Sequence, residues 1–243
     1  MRLKTIKELS KTDDKIRIGN VRTEMATSTT YSVPRRILRS RAMNSNTLIE
    51  LCRVLEIDYS DMIEEMLRYI KQTTADEQRL PTNTTELGFL PIERFTQLEI
   101  PVPDFQETGV FRIHRARCTG KNSFWNAGPR NDWIWIRAGG EDTRGVLRGR
   151  FVAQLLALFK IRNIRSEVGS VRRLALVRVL DPMNGGSFHP GSGHVRVCKR
   201  PSGQDMQIVD IGTVIGQAHI VPVGERQWIV NHRIDLQTFN ELY

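Results

Sequence analysis

Three side chains with affinity for zinc, His189, His194 and Cys198, stand close together in the segment HPGSGHVRVC. Imidazole nitrogens and thiolates are good zinc ligands, and a fourth ligand would have to come from Cys118, His219 or elsewhere. No paired C-x2-C is present, so the segment is more typical of a Gly/Pro-rich hairpin loop with incidental histidines. Whether the three residues bind zinc stays open at this point.

Carboxylates that could hold divalent ions for strand-transfer chemistry are Asp132, Asp181, Asp210 and Asp235. Such chemistry needs two or three carboxylates that converge on the metal ions. Asp132 and Asp181 sit beside turn residues, where Asp is ordinary, and Asp235 is placed to cap a C-terminal helix. We therefore expect no catalytic residues, no metal and no cofactor, and we do not expect an enzyme.

A nucleophilic mechanism finds little support in the sequence. No serine lies in a G-x-S-x-G elbow, and no G-x-x-x-x-G-K-[ST] phosphate loop is present. Cys118 lies near His114 and three arginines, whose charge could lower its pKa, but a lone cysteine of this kind is expected to be inert.

Arginines are the strongest functional signal. Residues 111–200 contain 18 Lys/Arg and 5 Asp/Glu, within a chain of net charge +9. Arginine suits phosphate because its planar guanidinium offers paired donors. The basic side chains fall mostly at predicted strand ends and turns, where they could share one rim and bind a polyanion without sequence preference. The predicted nucleic-acid contacts are Arg112, Arg115, Arg117, Trp125, Arg130, Arg148, Arg150, Arg172, Arg173, Lys199 and Arg200.

Two tryptophans, Trp133 and Trp135, stand two residues apart in RNDWIWIRAGG. In an extended strand they share one face, with Ile134 and Ile136 on the other. The pattern favours a mostly buried pair that anchors a core, with a surface platform for bases or a modified lysine as the alternative. Trp125 has polar and Gly neighbours, so it is the better candidate for an exposed stacking residue.

The elements that would position these side chains divide the chain into three parts. Residues 1–45 are predicted to form a basic, flexible arm, because they show no sustained period, and the segment PRRILRSR could act as a nuclear-import signal or contact phosphate. Residues 46–97 contain a helical pair and a linker, with Ser60 as the N-cap of the second helix.

Residues 98–243 contain short β-rich runs separated by Gly, Pro, Asn and Ser, which predict strands and turns. A C-terminal helix, the closing helix, is predicted to follow them. The nearly continuous apolar run FVAQLLALF favours a buried strand. The fold class is therefore α+β, with a mainly β, barrel-like C-terminal domain after a short helical region and the flexible arm.

The composition of the chain predicts where in the cell the protein is found. The longest apolar run is too short to span a bilayer, and no signal-type h-region is present at the N-terminus. Three widely spaced cysteines fit a reducing compartment. We expect an intracellular protein of the nucleus, not associated with a membrane.

The region from about 98 to 243 resembles the C-terminal region of fungal transposon-derived proteins of the Plavaka type. The residues that carry the resemblance are HRARCTG (114–120), GPRNDWIWIRAGG (128–140), LRGRFVAQLLALFKIRN (147–163), RRLALVRVL (172–180), IVDIGTVIGQAHIVP (208–222) and QWIVNHRIDLQTFNELY (227–243). The same region is also similar, in the order of its elements, to the bromo-adjacent homology type of β-barrel of chromatin proteins.

The first resemblance implies a truncated or domesticated tail, because the ribonuclease H-like core of such transposases lies upstream of the matched region. We therefore expect a non-catalytic module associated with nucleic acid or chromatin. The alternative is a protein-interaction or assembly domain left from a larger transposase, with a protein as its partner.

Overall fold

The structure is a computed structural model. It describes residues 3–5, 36–38, 46–73, 84–103, 110–119, 130–137, 149–162, 171–183, 194–199 and 205–231. The predicted closing helix and residue Asp235 lie outside the described residues.

Three helices precede most of the strands: α1 at Leu48–Leu55, α2 at Tyr59–Thr73 and α3 at Thr84–Gly88. The predicted helical pair is confirmed. A reciprocal capping box fixes the start of α1, since Thr47 Oγ1 accepts from the Glu50 N–H and the Glu50 carboxylate accepts from the Thr47 N–H. None of the described helices is both long enough and apolar enough to span a membrane.

The predicted N-cap of α2 was wrong by two residues. Helix α2 begins at Tyr59, so the residue before it is Asp58 rather than Ser60. The Asp58 carboxylate accepts from the Ser60 N–H at 2.7 Å and also from the Ser60 hydroxyl. Both residues are good caps, and the carboxylate takes this role because it reaches an N–H of the first turn.

The described residues form fifteen strands. They are β1 Leu3–Thr5, β2 Arg36–Leu38, β3 Asn46–Thr47, β4 Pro91–Phe95, β5 Gln97–Pro103, β6 Val110–Thr119, β7 Arg130–Asn131, β8 Trp133–Arg137, β9 Arg150–Arg162, β10 Val171–Pro182, β11 Val195–Lys199, β12 Met206–Asp210, β13 Val214–Gln217, β14 Ile220–Gly224 and β15 Gln227–Val230. The run FVAQLLALF lies within β9, so its interpretation as a strand is confirmed.

Two antiparallel sheets contain all of these strands. The five-stranded sheet has the order β1-β6-β5-β2, with β7 also paired to β6. The ten-stranded sheet has the order β13-β8-β9-β10-β11-β15-β14, with β12 on β10 and β3-β4 on β9. The mainly β, α+β class is confirmed, and in the described residues both sheets are open rather than closed into a barrel.

Strand β9 lies at the centre because both of its faces are covered. One face packs against the five-stranded sheet, where Leu155 and Leu158 join Ile100 in one buried cluster. On the opposite face Phe159 packs with helix α2 in a second cluster, and Val152 belongs to a third. A bulge at β9 interrupts the register between Leu176 and Val177 of β10.

The tryptophans of β8 belong to the third cluster. Trp135 is 4% exposed and packs with Val152 and Val197. Trp133 is half-buried against Trp228, with ring centroids 5.6 Å apart. The core interpretation is confirmed for Trp135, whereas Trp133 keeps part of its surface in solvent.

Candidate nucleic-acid interface

The predicted contact residues are not all described. Trp125, Arg148 and Arg200 lie outside the described residues, and for Lys199 only the backbone in β11 is described. Of the seven remaining positions, Arg112 stands apart, and the other six fall into three groups at different places on the two sheets.

The first group lies on the outer face of β6. Alternation along this strand turns Ala116 and Cys118 into the core, so that Arg115 and Arg117 project outward about 7 Å apart. Arg130 of β7 pairs with Thr119, which shares the outward face. We call Arg115, Arg117 and Arg130 the β6 arginine face.

Carboxylates fix two of these arginines through one nitrogen each. Arg115 Nε donates to Glu99 at 3.2 Å, and Arg130 Nε donates to Asp132 at 2.8 Å. Both arginine side chains are more than half exposed, at 58% and 55%. In the described part of the chain, Nε carries each arginine's hydrogen bond, which leaves the terminal nitrogens as donors for a ligand.

Asp132 also anchors the backbone of this face. Its second carboxylate oxygen accepts from the Arg117 N–H at 2.9 Å, and its own N–H donates to the Arg117 carbonyl. The carboxylate that the sequence offered as a metal ligand therefore has a structural role, because it joins β6 to the start of β8.

Arg112 does not belong to the β6 arginine face. It pairs with Val102, whose side chain is buried between the sheets, so Arg112 lies on the inward face of β6 and is half-buried. The sequence grouped Arg112 with Arg115 and Arg117, but an odd step along a strand places it on the other side of the sheet.

The second and third groups lie at opposite ends of β9. Arg150 begins the strand and pairs with Arg137 of β8, whereas Arg172 and Arg173 pair with residues 161 and 160. About ten residues of extended chain separate the two ends, or roughly 30 Å. The described arginines therefore do not share a single rim.

Arg137 is a basic residue that the predicted contacts did not include. Its Cα lies directly opposite that of Arg150, so two guanidinium groups project from neighbouring positions on one face. The alternation of side chains in WIWIR predicts on which face of β8 Arg137 lies, but it does not predict that Arg137 pairs with Arg150.

The zinc and carboxylate candidates are only partly described. His194 directly precedes β11 and Cys198 lies within it, and both side chains are half-buried. His189 is outside the described residues. Asp210 accepts from the Gly212 N–H at 2.7 Å and so caps a 3₁₀ turn at Ile211–Thr213. Among the described residues, no group of three His, Cys, Asp or Glu side chains is placed to hold a metal ion.

Cys118 is buried, and its environment opposes ionisation. Burial raises the pKa of the thiol to about 12, which outweighs the opposing influence of a backbone hydrogen bond and of Arg94. Its Sγ donates to the Phe95 carbonyl at 3.5 Å. The thiol therefore stays protonated near neutral pH, which is the inert state that the sequence favoured.

Similarity to known proteins does not identify the site. No protein-family model, no curated protein and no solved structure matches this chain. The resemblances to transposon-derived proteins and to the bromo-adjacent homology barrel stay predictions.

Proposed function

We propose that the chain is a non-catalytic module of a transposon-derived protein that associates with nucleic acid or chromatin in the nucleus. The observation that carries the proposal is the β6 arginine face, with three arginines on one outward side of a sheet. Two of them are oriented through Nε by a carboxylate and are more than half exposed.

The geometry fits contact with phosphate better than with bases. A guanidinium held at Nε keeps its terminal N–H groups in a fixed direction, so less side-chain freedom is lost when a phosphate binds. The face is a sheet surface, and nothing in it is shaped to enter a groove and read base edges. Binding of this kind depends on salt and has little sequence preference.

A barrel-like arrangement of the long sheet is also part of the proposal. The strands at the two ends of its pairing order, β13 and β14, are separated in the chain only by Ala218 and His219. The Ala218 N–H donates to the Trp133 carbonyl at 2.9 Å, and the Asn231 N–H donates to the His219 carbonyl at 2.7 Å. These two bonds continue the pairing through the bend, which supports a sheet that curls toward closure.

A protein-interaction function is the second candidate, and β14 favours it. In the described residues this strand pairs with β15 alone, and Val221 and Val223 are each 46% exposed. An edge strand with apolar side chains in solvent can take an added strand from a partner. Pro222 lies between the two valines and limits the pairing that the edge can offer.

The two functions are separated by binding measurements on charge variants. Change Arg115, Arg117 and Arg130 together to Ser, and measure the anisotropy of labelled duplex and single-stranded DNA at about 50 mM salt. We expect the affinity to fall at least about tenfold, because three phosphate contacts are lost.

The matched control removes three charges elsewhere, by changing Arg150, Arg172 and Arg173 to Ser. We expect this variant to bind more tightly than the first one, because its charges lie away from the β6 arginine face. Equal losses in both variants would show that only net charge matters. If the wild-type chain does not bind DNA at low salt, the protein-interaction function becomes the better account.

A further inference from the structure

Strand β14 has an open edge in the described part of the chain. It pairs with β15 on one side, and no described strand lies on the other. The side chains of Val221 and Val223 are each 46% exposed, and Pro222 between them is exposed as well. Unpaired N–H and C=O groups line an edge of this kind, so it is a template for pairing with a second copy of the chain.

The direction of the Pro222 nitrogen follows from one hydrogen bond. The Asn231 N–H donates to the His219 carbonyl at 2.7 Å. This bond flanks the Cα partners Ile220 and Val230. A pair flanked in this way exchanges no hydrogen bonds of its own, and bonded and non-bonded pairs alternate along an antiparallel ladder. Two residues further along, Pro222 stands in the next non-bonded pair, so its nitrogen points away from β15 and toward the open edge.

The prolines within β5 have the same arrangement. A bond of 2.9 Å from the Cys118 N–H to the Thr96 carbonyl fixes the alternation between β5 and β6. It places Pro101 and Pro103 in non-bonded pairs, so their nitrogens point away from β6 and toward the side of β2. In the described residues, β2 pairs only with residues 97–99 and ends before the first of these prolines. Each of the three prolines therefore removes a donor from a side of its strand that has no described partner.

We propose that Pro222 keeps β14 from pairing with β14 of a second copy of this chain. Two identical antiparallel strands meet on a two-fold axis, and in the register centred on the exposed segment residue 222 faces its own copy. A residue with an outward N–H would form two bonds there, one from each N–H to the carbonyl of the other copy. Proline has no N–H, and its ring occupies the position of the missing hydrogen, so both bonds are absent.

A bulge reinforces the effect of the proline. The register between β14 and β15 shifts between Pro222 and Gly224, so Val223 is an extra residue on β14. A bulge strengthens the local twist and turns an edge away from a partner. The edge still offers the Ile220 N–H and the carbonyls of Ile220 and Pro222. A different strand that supplies its own donors keeps access, so the device acts against identical copies and not against the protein partner of the second candidate function.

Pro222→Thr tests the proposal, because threonine restores the N–H in a residue type that strands favour. Light scattering after size-exclusion chromatography gives the mass of the particle at increasing protein concentration. We expect the mass of Pro222→Thr to rise toward that of two wild-type particles, whereas the wild type keeps one mass. Adding Val223→Lys to Pro222→Thr should return the mass to the wild-type value, since a lysine on the edge opposes pairing.

Pro91→Thr is the matched control. It removes a strand proline from β4, which has β3 on one side and β9 on the other, so its mass should equal that of the wild type. Equal masses for Pro222→Thr and the wild type at every concentration would overturn the proposal, as would an equal rise in Pro91→Thr. A wild-type mass that rises with concentration and is lowered by Val223→Lys would also overturn it, because β14 would then pair despite its proline.

A measurement on the wild-type chain covers the case in which Pro222→Thr does not fold. Val221 lies between the two non-bonded pairs, so its N–H points to β15, whereas the Ile220 N–H points to the open edge. Amide hydrogen exchange followed by NMR should therefore be at least about tenfold faster at Ile220 than at Val221. Equally slow exchange at both residues would refute the proposal, since the edge would then already be paired.

Discussion

Replacement of Trp135 by Ala tests how the core of the long sheet is built. Trp135 is 4% exposed and packs with Val152 and Val197, whereas Trp133 is only half-buried beside Trp228. The two indoles stand on the same face of the same strand, so each is a control for the other.

The expected magnitude follows from burial. An indole buries on the order of 200 Å², and at about 25 cal/mol per Å² its transfer from water is worth about 5 kcal/mol. The variant keeps part of this free energy, because its methyl group is still buried and the surrounding residues relax toward the cavity. Trp135→Ala should therefore lower the free energy of unfolding by about 3–5 kcal/mol. For Trp133→Ala we expect about half of that loss, because part of its surface already contacts water.

Urea unfolding followed by far-ultraviolet circular dichroism measures both variants, and this signal does not depend on the removed fluorophore. Trp135→Phe keeps most of the apolar volume, so it should lose less stability than Trp135→Ala. The reasoning is refuted if Trp135→Ala is nearly neutral, or if Trp133→Ala costs more than Trp135→Ala. The first result would mean that the side of β8 that carries the indoles is not a core surface, and the second would mean that Trp133 rather than Trp135 is the more deeply packed indole.

Two further predictions concern a helix cap and the buried thiols. Asp58→Ala should lower the urea midpoint more than Ser60→Ala does, because the Asp58 carboxylate accepts from the Ser60 N–H at the start of α2; a larger effect of Ser60→Ala in the same unfolding assay would contradict this assignment. Burial raises the pKa of Cys52 from its ordinary 9.0 to about 11 and that of Cys118 to about 12. The folded state therefore holds these protons more tightly than the unfolded state, so the stability that they contribute is present below pH 9 and is lost as the pH rises from 9 toward 11 and 12. Urea midpoints from pH 8 to 10.5 should fall less steeply in the double variant Cys52→Ala, Cys118→Ala than in the wild type, and parallel slopes would show that the thiols make no contribution.

Local pattern was enough to predict most of the elements. The period of apolar residues predicted α1 and α2, and the nearly continuous apolar run predicted β9. Alternation in WIWIR placed the two indoles together, since neighbouring side chains of a strand point to opposite faces. These features depend on residues close in sequence, and the sequence contains all the information that they need.

The arrangement of the site could not be predicted in the same way, because it depends on which strands pair. Arg115 and Arg130 share a face only because β6 pairs with β7, and Arg137 meets Arg150 only because β8 pairs with β9. The separation of Arg172 from Arg150 depends on the full length of β9. The burial of Arg94 opposite Phe159 is likewise a matter of register, and its residue type alone predicts an exposed position.

The salt dependence of DNA binding tests the proposed function most directly. Measure the dissociation constant for duplex DNA at several salt concentrations, for the wild-type chain and for the variant with Ser at residues 115, 117 and 130. Each phosphate contact on duplex DNA contributes about 0.9 to the slope of log affinity against log salt. If the three arginines of the β6 arginine face each neutralise a phosphate, the slope of the variant should be lower by about 2.7. Equal slopes in the two proteins would contradict the account, because the face would then make no contact with phosphate.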